Sequence, residues 1–273
     1  MTLAPLLSLE PYSALSAAER RRLASELAEQ LGVSWQPARS SHARRFVLLR
    51  NSDLNLDFVA VTGGEYLRGL SEVDEQAAAE HVDLTAAVRQ TLDELALSAR
   101  PVHALHVRPF LVTREPLSEA ALIELTEGGY RRASFGVGEA RSLAERLGLR
   151  LISEAEYEWL ARDGGRFSFT LDLANQRKSI GRDDRKLPSR FGVTGLFGEH
   201  WTADDWHDSY LGAPSTSNPW YEGGETTVYR GGFLLAGMQS TEELLWALAA
   251  VRQARRTTSS IPVTRLVMPI NVE

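Results

Sequence analysis

Between residues 199 and 208 the chain gathers Glu199, His200, Asp204, Asp205, His207 and Asp208. A histidine beside carboxylates can serve as a general base or a metal ligand, because its charge changes near neutral pH. The plainer reading is a solvated acidic loop in which Thr202 to Asp205 cap turns. Aromatic side chains interleave with these groups: Trp201, Trp206, Tyr210, Trp220 and Tyr221. Tyr and Trp give large contact area at small entropy cost, which suits recognition. The ligand-binding candidates are therefore Asp205, Trp206, His207, Tyr210, Trp220 and Tyr221. No Gly-rich phosphate loop, Ser-His-Asp signature or His-Glu-x-x-His motif is present.

Composition narrows the chemistry further. The chain has 273 residues and no cysteine, which removes thiolate metals, thiol nucleophiles and disulfides. Hydrophobic residues make up 43% and charged residues 24%, as in an ordinary globular protein. The formal charge of −6 argues against general nucleic-acid binding, which needs a positive surface. Arg20-Arg21-Arg22 and Arg44-Arg45 are local basic clusters, read first as a solvated helix face and a strand edge. No apolar run is long enough to span a membrane. Met1 to Leu9 lacks the basic start of a signal peptide, so a cytoplasmic location is the default expectation.

These groups need elements to position them. Ser16-Ala17-Ala18-Glu19 has capping-box form, and Leu23, Leu27 and Leu31 then share one helical face up to Gly32. Residues 1–50 thus read as a helical extension. Phe46 to Leu49 reads as a strand, and Phe58 to Tyr66 as strand, Gly-Gly turn, strand. One or two helices are expected over 72–98, a strand region over 102–112, and helices over 117–127 and 138–147. Ser153-Glu154-Ala155-Glu156 opens another helix with a capping box. From Asp163 to Pro219 the helical period disappears, and so long an irregular stretch is usually functional. A strand near Val228, a helix from Ser240 to about Arg256 and a closing strand near 263–270 complete an α+β pattern.

In this order the motifs resemble the formylglycine-generating enzyme / sulfatase-modifying-factor family. Phe58 to Gly69 resembles its opening Gly-Gly hairpin, and Pro101 to Glu115 its strand before a helix. Leu147 to Arg162 is similar to the family's Arg-Leu-Pro-Thr-Glu-Ala-Glu-Trp-Glu helix entry. Phe191-Gly192-Val193, Gly198 to Trp206, Tyr229-Arg230-Gly231-Gly232 and the closing Arg252, Arg255 and Arg265 follow in family order. The resemblance covers roughly 58–270. It implies a C-type-lectin-like fold with much irregular structure over 51–273, carrying a helical insert at about 71–99. It also implies that Trp201, Arg230 and Arg265 belong to the framework.

The family's oxidases bind copper through two cysteines after Arg-Gly-Gly. Those positions fall near Ala236 and Thr241, so this chemistry and its copper are excluded. The family fold often holds calcium, for which Asn175 and Glu199 are the weak candidates, and a buried Arg–carboxylate pair could replace the ion. His103 and His106 lie on opposite faces of a strand and cannot chelate together.

The expected function is a non-catalytic binding or accessory module, recognising a protein, peptide or small-molecule ligand through loops 163–224. The extension and the insert would add an oligomer interface or a surface for a neighbouring gene product. The alternatives are an enzyme using a groove of carboxylates and histidines, with or without a metal, and a diversified ligand-binding variable protein.

Overall fold

The computed structural model describes residues 3–132, 135–172, 187–231, 242–259 and 264–272. The chain is a mixed α+β protein with antiparallel sheets. In order come α1 (Leu9–Ala14), α2 (Ala17–Leu31), β1 (Trp35–Pro37), β2 (Leu48–Asn51), β3 (Leu56–Val61) and β4 (Gly64–Arg68). α3 (Glu72–Ala79), α4 (Ala86–Ser98), β5 (His103–Val107), β6 (Phe110–Thr113), α5 (Glu119–Leu125) and α6 (Val137–Arg146) follow. β7 (Arg150–Leu151), α7 (Glu154–Ala161), β8 (His200–Asp205), β9 (Thr226–Arg230), β10 (Gln253–Arg256) and β11 (Leu266–Pro269) complete the set.

The main sheet has the order β1-β2-β3-β6-β11-β7, with β10-β9-β8 and β4-β5 as smaller sheets. Phe58 to Val61 on β3 and Phe110 to Val112 on β6 are buried on both faces. Fully burying side chains of that size contributes roughly 1.5–3 kcal/mol each. The capping boxes expected at Ser16 and Ser153 both form. Leu23 and Leu27 are buried, and Gly32 ends α2 with φ 100°. Residues 1–50 supply β1 and part of β2 to the main sheet, and the Val47 amide donates to the Tyr12 hydroxyl at 3.3 Å.

The expected Gly-Gly hairpin does not form. β3 pairs with β6, and β4 pairs with β5. The four strands make one long antiparallel ribbon that bends between sheets at Thr62–Gly63 on one strand and Arg108–Pro109 on the other. The bend needs glycine for closeness rather than for a turn. A Cβ on Gly63 would lie 2.7 Å from the Val107 carbonyl oxygen, and one on Gly64 2.7 Å from the Trp159 ring. The same bend splits the strand region expected over 102–112 into β5 and β6. α3 and α4 fill the connection at the ribbon's far end.

The expected helix over 240–256 is also replaced. Glu242–Ala247 forms a single 3-10 segment, and Gln253–Arg256 is strand β10; Ser240 and Thr241 lie outside the described residues. The Ala249 amide donates to the Ser168 carbonyl at 2.8 Å, and its carbonyl accepts from Arg230. A continuing helix would have consumed both groups. Within the stretch read as irregular, 200–205 forms β8 beside β9.

Gly231 sits at φ 75° directly after β9, and a Cβ there would collide with the Gly198 carbonyl and the Tyr157 hydroxyl. Gly231→Ala is expected to lower the unfolding free energy by about 1–3 kcal/mol, from positive φ and overpacking. Gly138→Ala, on α6 with no atom within 4 Å of the added Cβ, is expected to stabilise by about 0.5–1 kcal/mol. Urea melts of the two variants check the contrast.

Candidate functional site

The site is built outward from α7. All eight positions of this helix are buried, enclosed by β4, β5, β8 and β9. It carries Glu154, Glu156 and Glu158, and a buried carboxylate persists only when paired and hydrogen-bonded. Glu154 accepts from Arg68 at 2.8 Å, Arg230 at 2.9 Å, the Tyr210 hydroxyl at 3.0 Å, and Arg252 at 2.8 and 3.1 Å. Glu158 accepts from the Gly69 amide at 3.0 Å and Arg162 at 2.9 Å. Arg162 also grips Asp74 with a bidentate pair at 2.9 and 3.0 Å. Arg150 holds Glu156 in the same way at 2.7 and 2.6 Å.

Burial alone would push the Glu154 carboxyl up, but Arg252, Arg68 and Arg230 overcome it and hold the group down at about 2. Asp204 goes the other way. Burial and the nearby Glu154 charge push it up to about 6, although it accepts from the Glu154 amide at 2.7 Å and the Trp220 amide at 2.9 Å.

Arg252 joins this core to the surface. Its guanidinium lies 4.6 Å from the ring centroids of both Trp206 and Tyr210. It donates to the Ser98 and His207 carbonyls at 2.8 Å each. Trp206 and His207, in turn, begin the loop leaving β8. The His207 and Trp220 rings stack, with centroids 3.5 Å apart and planes 6° from parallel. His207 Nδ1 lies 3.1 Å from the Asp205 carbonyl, which makes this nitrogen the donor. Nε2 then faces Glu222 at 3.5 Å. Tyr221 is 57% exposed, with the Arg141 guanidinium 4.4 Å from its ring centroid.

The sequence-derived candidates divide accordingly. Trp206, His207 and Trp220 are half-buried and Tyr221 is exposed, together forming one aromatic face. Asp205 is buried and accepts from the Glu222 and Gly224 amides at 2.8 Å each, and from Arg141 at 3.3 Å. Tyr210 is buried, with its hydroxyl pushed up to about 12 by burial. These two residues hold the face rather than form its outer surface. Sequence reasoning missed Arg141 and Glu222 and placed Arg252 only in the closing family motif, because their approach to the loop comes from α6, from the loop's return and from the segment just before β10.

His200 and Glu199 also lie apart from the face. Arg265 Nε donates to His200 Nε2 at 3.1 Å, and the Gly198 carbonyl faces His200 Nδ1 at 2.6 Å. Burial and then the Arg265 charge push the imidazole well below its usual range, so it stays neutral. Burial likewise lowers Arg265 to about 9. The expectations that Trp201, Arg230 and Arg265 are framework agree with their full burial. The Glu199 carboxylate pairs with Arg255 at 2.9 Å, and Asn175 lies outside the described residues. Among the described residues no group of three His, Asp or Glu side chains is placed to hold a metal ion. Copper bound through cysteines has no donor, since the sequence contains none.

No family model matches the sequence, and neither does any curated protein. Solved structures do share its fold. PvdO from Pseudomonas aeruginosa superposes with a TM-score of 0.60 at 18% identity, over 85% of this chain and 100% of that one. Treponema denticola variable protein 1 gives 0.52 at 12% identity, over 79% of this chain and 95% of that one.

Glu154→Gln keeps the side-chain volume but leaves Arg68, Arg230 and Arg252 without their shared anion. It is expected to lower the unfolding free energy by about 3–5 kcal/mol, readable as a reduced denaturant midpoint. Asp204 generates a pH dependence. Its folded value exceeds its unfolded one, so its contribution is complete below about 3.8 and is lost as pH rises through about 6. Wild type is therefore expected to lose stability relative to Asp204→Asn between about pH 4 and pH 7, by up to about 3 kcal/mol. Paired urea melts at both pH values read the difference.

Proposed function

We propose that the chain is a non-catalytic binding or accessory module of the formylglycine-generating-enzyme type, built on a C-type-lectin-like scaffold. Its recognition surface is the aromatic face of Trp206, His207, Trp220 and Tyr221, and its ligand is a protein, peptide or small molecule. The observation carrying this reading is the stacked His207–Trp220 pair beside the exposed Tyr221, tied by Arg252 to the buried carboxylates. A surface ordered before it binds loses little entropy on binding, and aromatic anchors with a polar rim are what recognition uses. The fold shared with PvdO supports the scaffold. Asp204 and His200 spend their polar atoms on the framework and are fully buried. α3 and α4 expose Val73 and Leu97, which suits a second contact with a partner or another copy of the chain.

A peptide library displayed on phage and selected on the wild-type chain tests the reading. Selected peptides are expected to bind Trp220→Ala/Tyr221→Ala at least about tenfold more weakly, since such anchors contribute 2 kcal/mol or more. Peptides that bind the double variant equally would sink the assignment of this face. Elemental analysis of the purified protein adds an independent check. One tightly bound transition metal per chain would replace the binding-module reading with an enzymatic one.

A further inference from the structure

The two basic clusters of the sequence, Arg20-Arg21-Arg22 and Arg44-Arg45, come together in the fold. α2 packs on the 3-10 turn Ser41–Arg44, and Arg21, Arg39 and Arg44 line one cleft of about 760 Å³. That volume is within the range of small-molecule sites. The cleft is lined by the half-buried Pro37, Ala38 and Ala43, by the buried Phe46 and Leu48, and by Ser40. Among the described residues no carboxylate lines it. The three arginines are exposed, and none forms an ion pair with a described carboxylate. In a chain of net charge −6, this is a concentrated positive field over a concave apolar wall. Like charges around one cleft repel, and an anion between them relieves that repulsion. Guanidinium groups match phosphate by paired hydrogen bonds.

We propose that this cleft binds a small organic phosphate whose head meets Arg21, Arg39 and Arg44 and whose apolar body lies against Pro37, Ala38 and Ala43. It lies on different elements from the aromatic face and is independent of that site's function. The head can belong to a free phosphate ester or to a membrane phospholipid, and the experiment separates the two.

Calorimetric titration with octyl phosphate, below the concentration at which it forms micelles, is expected to give one site per chain. Arg39→Glu/Arg44→Glu is expected to weaken binding at least about tenfold, the loss of a charge-assisted contact. Arg146→Glu/Arg256→Glu makes the same charge change at exposed arginines outside the cleft and is expected to stay within about twofold of wild type. Circular dichroism melts confirm that both double variants are folded. Octyl glucoside, which has the tail without the charge, and inorganic phosphate, which has the charge without the tail, are each expected to bind at least about tenfold more weakly. The proposal is overturned if octyl phosphate does not bind, if inorganic phosphate matches it, or if both double variants weaken it equally. Sedimentation with phosphatidate-containing vesicles then identifies the source. Retention that Arg39→Glu/Arg44→Glu abolishes assigns the head to a lipid, and octyl phosphate binding without retention assigns it to a free ester.

Discussion

A carboxylate deep inside a protein has to be answered by charge, and Glu154 is answered from four directions. Arg68 comes from β4, Arg230 from β9, Arg252 from just before β10 and Tyr210 from the loop after β8. Each element is fixed relative to α7 by that single anion. Hydrophobic burial would let these elements slide by a side chain's width, whereas charge-assisted hydrogen bonds hold them in register. The mutually repelling guanidiniums are held together by the same carboxylate, so the helix and its surroundings depend on one another.

This arrangement explains how little regular structure the region needs. β8 and β9 are short, and the connection from Trp206 to Glu225 contains no strand or helix. Its path is set instead by Asp204, Asp205 and Arg252, which bind its amides and carbonyls directly. A loop held by buried ionic groups can present large aromatic rings without burying them. His207 and Trp220 stack on each other, which leaves one edge of the pair and the neighbouring Tyr221 in solvent.

Much of the scaffold was legible in the sequence, because it is encoded locally. The boxes at Ser16 and Ser153 and the stop at Gly32 are short-range hydrogen-bond and backbone signals. The aromatic cluster after β8 was visible from residue order alone. The ribbon bend at Gly63 and Pro109 was not, since a glycine pair reads the same whether it turns a hairpin or lets a tryptophan ring approach. The segment 242–256 was misread because Ala249 is claimed by Ser168 and Arg230, partners remote in sequence. The ion cluster was hidden for the same reason. Glu154 and Arg252 lie 98 positions apart, and no periodicity links them. A capping box marks where a helix starts and carries no sign of whether that start is buried.

Asp204 and Asp205 grip the returning loop through the main-chain amides of Trp220, Glu222 and Gly224. Every amino acid except proline carries that amide. The loop's course is thus written in its backbone, while the side chains pointing outward from it are left unspecified by what holds it. Gly223, at φ 83°, is the position in this segment where the backbone itself demands glycine. Substitution at Tyr221 or Glu222 would therefore change the outer chemistry of this loop before it changed the amide contacts that shape it.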